Sequence, residues 1–349
     1  MVKEIKDASG KLVAKLIQEQ DIPYTYTGTL AVIGYASQGR GQALCHRDSG
    51  TNVVVGLRKN GESWKQALAD NWVEGQNLLE IPEAVKRADA VQILITDTQQ
   101  AQVYKESIEP NLKKGATLIF SHGFNIHFKL INPPADSDVI MIAPKGPGRV
   151  LRAQYESGFG IPALTAVHQN PSGKARENVL ALAKAIGCAR AGLFETTFKD
   201  EVETDLFGEQ VDLCGGVTAM VQHTFDTLVE AGYNPLLAYF ETSHELYGLI
   251  APMGYKRGNA GVLAGCSETA RYGGITCGPK VMDEHVKDNM KKVLTRIQNG
   301  EFVKEYLGEY KQKGRAVVDE PIARMRASLI GTVGTQVRKS MWPDDKEVE

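Results

Sequence analysis

The chain has 349 residues, room for two or three domains, with 42% hydrophobic and 23% charged residues, an ordinary globular profile. Forty Lys and Arg stand against 42 Asp and Glu, and the net charge of −2 argues against binding to nucleic acid or an anionic membrane surface. No apolar run approaches the roughly 20 residues of a membrane span, and Met1–Asp7 lacks the apolar core of a signal peptide, so a cytoplasmic protein is expected.

Short apolar runs at Thr29–Ile33, Asn52–Val55, Ala90–Ile95, Ala116–Ser121, Val139–Ala143, Ala163–His168 and Ala191–Phe194 predict strands. Helical patterns fall between them, at Gln38–Asp48, Trp64–Asn71, Pro82–Ala88, Ala101–Glu106 and Lys174–Ile186. Apolar runs alternating with helices predict βαβ units and a mostly parallel, doubly wound sheet. Beyond Glu195 the β-branched runs stop. Asp205–Glu230 reads as one long amphipathic helix, broken by Gly232 and Pro235, and Leu236–Leu249 as the next. A glycine-rich stretch spans Gly254–Gly278, and Asp283–Gln298 and Glu301–Tyr310 read as helices. The expected organisation is a Rossmann-type α/β domain over 1–196, an all-α domain over 197–342, and a charged, frayed tail over 343–349. The five cysteines (Cys45, Cys188, Cys214, Cys266, Cys277) form no Cys-x-x-Cys pair and read as reduced thiols.

Gly34-Tyr35-Ala36-Ser37-Gln38-Gly39 follows a predicted strand and opens a predicted helix, the place where a G-x-G-x-x-G turn lays a diphosphate on a helix amino terminus. Ala36 stands where the second glycine belongs. After the second strand come Arg58, Lys59 and Ser63, with no carboxylate before Glu62. Two cations and a hydroxyl suit a ribose 2′-phosphate, which leans to NADPH, and Glu62 leaves NADH open.

Asp205 and Glu209 are four residues apart on one predicted helix, and Glu241 and Glu245 on another, so each pair shares a helix face. Singly, such pairs are ordinary solvated surface. Embedded among Leu, Phe and Tyr, they point to oxygen ligation of two Mg²⁺ ions around an oxygen-rich substrate.

Together these motifs resemble the ketol-acid reductoisomerase family in its shorter, single-knot form, from about Thr29 to about Met341. The resemblance is carried by His122-Gly-Phe-Asn-Ile-His-Phe128, Ala143-Pro-Lys-Gly-Pro-Gly148, Glu195-Thr-Thr-Phe-Lys199, Glu203-Thr-Asp-Leu-Phe-Gly-Glu-Gln210, Val229-Glu-Ala-Gly-Tyr233 and Ser267-x-Thr-Ala-x-Tyr-Gly273. It implies a knotted helical domain and a Mg²⁺-dependent reaction of branched-chain amino-acid synthesis. There an acetohydroxy acid becomes a 2,3-dihydroxy acid by alkyl migration and NADPH reduction. It also implies Asp205 bridging two metals, Glu209, Glu241 and Glu245 completing the set, His122 and Lys145 at the reacting centre, and Ser267 on the substrate carboxylate. Tyr35, Ala36, Ser37, Gln38, Arg58, Ser63, Asp97, Thr98, Gln99, Gln100 and Gly148 match cofactor contacts. The helical halves of two subunits are expected to interlock into a homodimer with a shared site, with a larger ring left open.

Some positions depart from the family's pattern. Arg40-Gly41-Gln42 replaces a stretch usually richer in His and Ala, and Pro252, Lys256 and Arg257 lie in a segment that is usually more acidic. Cys266, Glu268 and Arg271 flank Ser267 where the family has other residues. A paralogue acting on a related 2-oxo or 2-hydroxy acid is therefore a second reading, and a cofactor-binding scaffold without catalysis a third. His127 and His168 read as structural, and His244 as packing.

Overall fold

The computed structural model describes Val2–Asp345, so Lys346–Glu349 of the expected tail lie outside the described residues. The chain divides into two compact units, Met1–Val202 and Glu203–Glu349. The division falls six residues beyond the expected 196/197 boundary, inside the helix Phe198–Gly208.

In the first unit, β3 (Thr29–Ile33), β4 (Asn52–Leu57), β5 (Leu78–Glu80), β6 (Ala90–Ile93), β7 (Thr117–Phe120), β8 (Val139–Pro144), β9 (Ala163–Gln169) and β10 (Leu193–Glu195) form one sheet. Their order is β10-β9-β8-β7-β6-β3-β4-β5. Every pairing is parallel except β8 with β9. Successive residues of the strands enter opposite cores. Leu30, Val32, Ile119, Ile140 and Ile142 pack on one side, Ala31, Ile33, Leu118, Phe120 and Met141 on the other. Burial on both faces is why these strands read as unbroken apolar runs, each large side chain contributing roughly 1.5–3 kcal/mol.

Some elements did not announce themselves. β5 is three residues long, and β1 (Lys3–Lys6) pairs with β2 (Leu12–Leu16) as an exposed antiparallel hairpin with charges along it. The helices Phe124–His127 and Gly148–Glu156 were also not predicted, and the helix expected at Ala101–Glu106 begins instead at Asp97 and runs into a π-helical turn, Tyr104–Ile108.

The second unit is helical among its described residues, as expected, but its helices are broken differently. The long helix expected at Asp205–Glu230 is Phe198–Gly208, a π turn at Glu209–Leu213, and Gly215–Glu230. The helix expected at Leu236–Leu249 is Pro235–Tyr239 followed by π turns Phe240–His244 and Leu246–Ile250. The glycine-rich stretch folds as Ala251–Gly265, kinked at Gly258 (φ 67°), and Glu268–Val281. The remaining helices are Glu284–Gln298, Glu301–Lys313, Ala316–Ala327 and Leu329–Met341. Among the described residues of this unit, Phe225, Ala238 and Tyr239 pack with Leu228, Val229, Ile330, Val333 and Val337. Leu213, Tyr272 and Val281 stay 65% or more exposed, and Tyr255 reaches 87%. No helix of the described residues is long and apolar enough to cross a membrane.

Candidate active site

The carboxyl ends of β3, β6, β7 and β8 lie along one edge of the sheet, and the strand order reverses between β3 and its neighbours β4 and β6. Such a reversal opens a ligand crevice in a doubly wound sheet. Gly34 leaves β3 at φ 104°, where a Cβ would meet the Leu94 carbonyl oxygen at 2.5 Å. Ala36, by contrast, has φ −78° and ψ −162°, ordinary extended backbone that needs no glycine. The helix Ser37–Asp48 starts there, and Gly148–Glu156 starts beside it: a Cβ on Gly148 would collide with the Ser37 carbonyl. Neither Ala36 nor Pro147 supplies a side-chain cap. Two adjacent helix amino termini thus keep N–H groups for an anion, which suits a dinucleotide diphosphate.

The side chain of Tyr35 turns into the core, where its hydroxyl donates to Asp70 Oδ2 at 2.9 Å and accepts from Trp72 Nε1 at 2.6 Å. Burial, then the Asp70 carboxylate, push this phenol well above the usual range. What Tyr35 presents at the turn is therefore backbone. At the end of β4, Lys59 is paired with Glu74 at 2.9 Å and Glu62 with Lys65 at 2.7 Å, while the exposed Arg58 engages no side-chain partner among the described residues. Ser63 lies in the first turn of Glu62–Ala69, another helix without a side-chain cap. These side chains could hold a 2′-phosphate, Arg58 offering a planar, bidentate cation.

Asp97–Gln100 form the start of the helix Asp97–Val103. Asn125, fully buried, braces this turn by donating to the Asp97 carbonyl at 3.0 Å and to Gln100 Oε1 at 3.2 Å. Gln100 donates in turn to the Ile95 carbonyl at 2.9 Å. Thr98 and Gln99 sit in the same turn.

His122, just past β7, and Lys145, just past β8, converge on Glu201, which sequence reasoning passed over. Glu201 Oε1 accepts from Lys145 Nζ at 2.8 Å, and Oε2 lies 3.1 Å from His122 Nδ1. The carboxylate is only 1% exposed. Burial pushes it up, but His122 and Lys145 outweigh that and hold it below the ordinary glutamate range. Gly123 makes the geometry reachable: a Cβ there would lie 2.7 Å from Phe198 Cδ1, the residue that seats Glu201's helix. A signal existed in the spacing, since Glu201, Asp205 and Glu209 repeat every fourth residue.

In the second unit, Asp205 is half-buried and Glu209 exposed, with the α-to-π transition falling between them. Glu241 and Glu245 line one pocket of about 240 Å³ with Met220, Val221, Thr224 and Ile250. All four offer carboxylate oxygens, the donor set of a hard divalent cation such as Mg²⁺. Among the described residues, no group of three or more His, Cys, Asp or Glu ligand atoms able to share one ion includes Glu209, Glu241 or Glu245. Two of the π turns begin at or contain these positions, Glu209–Leu213 and Phe240–His244, a third, Leu246–Ile250, follows directly on Glu245, and π turns gather at functional sites. Ser267 caps Glu268–Val281 by accepting from Ala270 N at 3.3 Å. Arg271 ties this helix to the preceding one through the carbonyls of Leu263, Ala264 and Cys266.

The first unit is thus a dinucleotide-binding fold in which a histidine and a lysine just past two strand ends share a buried glutamate on a helix. Comparison with known proteins names it further. Residues 26–192 match the acetohydroxy acid isomeroreductase NADPH-binding domain, and residues 198–342 the ketol-acid reductoisomerase C-terminal domain. A ketol-acid reductoisomerase (NADP(+)) from Cenarchaeum symbiosum is 51% identical over 91% of this chain and 95% of its own length. One from Pyrococcus abyssi is 52% identical over 89% and 92%. The structure of an NADH-preferring ketol-acid reductoisomerase from an uncultured archean superimposes with a TM-score of 0.88 at 43% identity, covering 93% of this chain and 98% of that one. The chain belongs to the ketol-acid reductoisomerase family.

Proposed function

We propose that the protein is a Mg²⁺-dependent ketol-acid reductoisomerase of branched-chain amino-acid synthesis. It would convert an acetohydroxy acid of the 2-acetolactate type to a 2,3-dihydroxy acid, with NADPH as the preferred reductant. The observation that carries this reading is the buried Glu201 carboxylate held by His122 and Lys145 at the edge of a dinucleotide-binding sheet. Asp205 and Glu209, with Glu241 and Glu245 from a second copy of the chain, would hold the metals. Held there, two divalent cations would supply Lewis acidity to an oxygen-rich substrate. NADPH bound in the crevice of the first unit would supply the hydride for the reduction.

The chain's own residues manage protons and placement. Lys145 Nζ spends one N–H on Glu201 and presents its charge to a substrate oxygen. With Nδ1 donating to Glu201, the His122 ring carries its lone pair on Nε2, the atom that takes or returns a proton. Glu201 orients both side chains, accepting from Lys145 Nζ at 2.8 Å and lying 3.1 Å from His122 Nδ1. Arg58 and Ser63 would select the 2′-phosphate, and Ser267 would receive the substrate carboxylate. A homodimer with a shared site is supported by the exposed apolar side chains of the second unit. The test is NADPH oxidation with 2-acetolactate and Mg²⁺. Turnover requiring all three components is expected, and its absence across a panel of acetohydroxy acids would sink the proposal.

A further inference from the structure

Gln42, midway along Ser37–Asp48, is fully buried and uses its whole amide. Its Nε2 donates to Gln38 Oε1 at 3.0 Å and to Ser121 Oγ at 2.9 Å. Its Oε1 accepts from Gln92 Nε2 at 2.7 Å. Gln38 Nε2 passes the chain on to the Gly146 carbonyl at 2.9 Å. The residues so joined belong to different elements. Gln38 lies in the dinucleotide turn, Gln92 on the central strand β6, Ser121 next to His122, and Gly146 next to Lys145.

Packing does not call for this network. A leucine would fill much the same space without polar groups to satisfy, and the network leaves Gln92 Oε1 buried with no partner. What the amides add is direction: each bond fixes an angle as well as a distance, and together they set the dinucleotide turn in register with the two loops that carry His122 and Lys145.

We infer that Gln42 is a positioning residue, which holds the cofactor turn in register with the His122 and Lys145 loops. The inference rests on the function proposed above, because the register matters for hydride transfer between cofactor and substrate. It touches neither substrate nor cofactor and acts through Gln38, Ser121 and Gly146.

The test is Gln42→Leu, measured for thermal unfolding, NADPH affinity by fluorescence titration, and steady-state kinetics. A folded variant with a melting temperature near wild type is expected. A misplacement of about 1 Å at a reacting centre costs on the order of 100-fold, so kcat should fall roughly 10- to 100-fold while KM for the acetohydroxy acid changes little. NADPH should bind roughly 3- to 10-fold more weakly as Gln38 is released, the scale of one modest hydrogen bond. Wild-type kcat and NADPH affinity in folded Gln42→Leu would overturn the inference. So would a fall in kcat matched only by loss of folded protein. A wild-type enzyme that binds NADPH but turns over no acetohydroxy acid would refute the functional reading instead, and NADPH affinity would still decide for or against Gln42. Should Gln42→Leu fail to fold, Ser121→Ala removes one bond from the far end. Its kcat should fall at least threefold, and an unchanged value would overturn the inference.

Discussion

Replacing Glu201 by Gln keeps the shape of the side chain and one acceptor oxygen, but removes the charge that His122 and Lys145 share. Two charge-assisted contacts are at stake, at 2.8 Å to Lys145 Nζ and 3.1 Å to His122 Nδ1. A hydrogen bond to a charged group contributes about 1.5–3 kcal/mol, so losing both outright would cost about 3–6 kcal/mol. The amide keeps a weaker bond to Lys145, and the variant no longer bears the desolvation of a buried carboxylate, which leaves a net loss of about 1.5–3 kcal/mol. At roughly 2–4 °C per kcal/mol for a unit of this size, the melting temperature should drop by about 3–12 °C. The loss has a pH signature. Because the native carboxyl is held below its ordinary value of 4.5, its contribution is complete above that value and disappears as pH falls through the native pKa. The gap between wild type and Glu201→Gln should therefore be widest at neutral pH and close in acid. Urea unfolding at pH 7.5 and in steps below pH 4.5 reads this directly, and kcat at pH 7.5 should fall about 100-fold as His122 and Lys145 lose their orientation. A stability gap independent of pH, or a stable variant with full kcat, would refute the account of Glu201.

Asp205→Asn should abolish turnover while NADPH affinity stays within about twofold, because the dinucleotide crevice lies on the first unit; full activity after exhaustive chelation of divalent ions would contradict a metal role. Arg58→Ala should raise KM for NADPH about 10- to 150-fold through loss of a charge-assisted contact, with little change for NADH. Equal effects on the two cofactors would remove Arg58 from the 2′-phosphate. Gly123→Ala places a methyl group against Phe198, and overpacking of about 1–3 kcal/mol should appear as a lower melting temperature together with reduced kcat. Co-expressed Asp205→Asn and Glu245→Gln chains, each inactive alone, should regain part of the activity if the site is shared between subunits. A verified heterodimer without activity would count against sharing and leave the metal assignment standing.

The α/β unit was legible because its physics is local. Strands buried on both faces read as apolar runs, and Gly34 marks a turn that demands positive φ. The cation-rich end of β4 and the i,i+4 carboxylate pairs were equally visible, since each depends on neighbours a few residues apart. The pieces that escaped have no local signature. The strand β5 takes its place by pairing with β4, and the helix Gly148–Glu156 follows a proline and glycine turn that reads as a loop. The π turns at Glu209–Leu213 and Phe240–His244 keep helical periodicity nearly intact, so pattern alone could not separate them from α-helix.

The sequence by itself determined the fold class and placed the turn after β3 and the i,i+4 carboxylate pairs, because periodicity and spacing are properties of short stretches of chain. Tertiary structure alone decided which groups act together. Glu201 meets His122 across 79 residues and Lys145 across 56, and Gln42 meets Gln92 across 50. A buried carboxylate or amide takes its role from whichever partners the fold brings within hydrogen-bonding distance, and those partners here arrive from one strand and from the loops that follow two others.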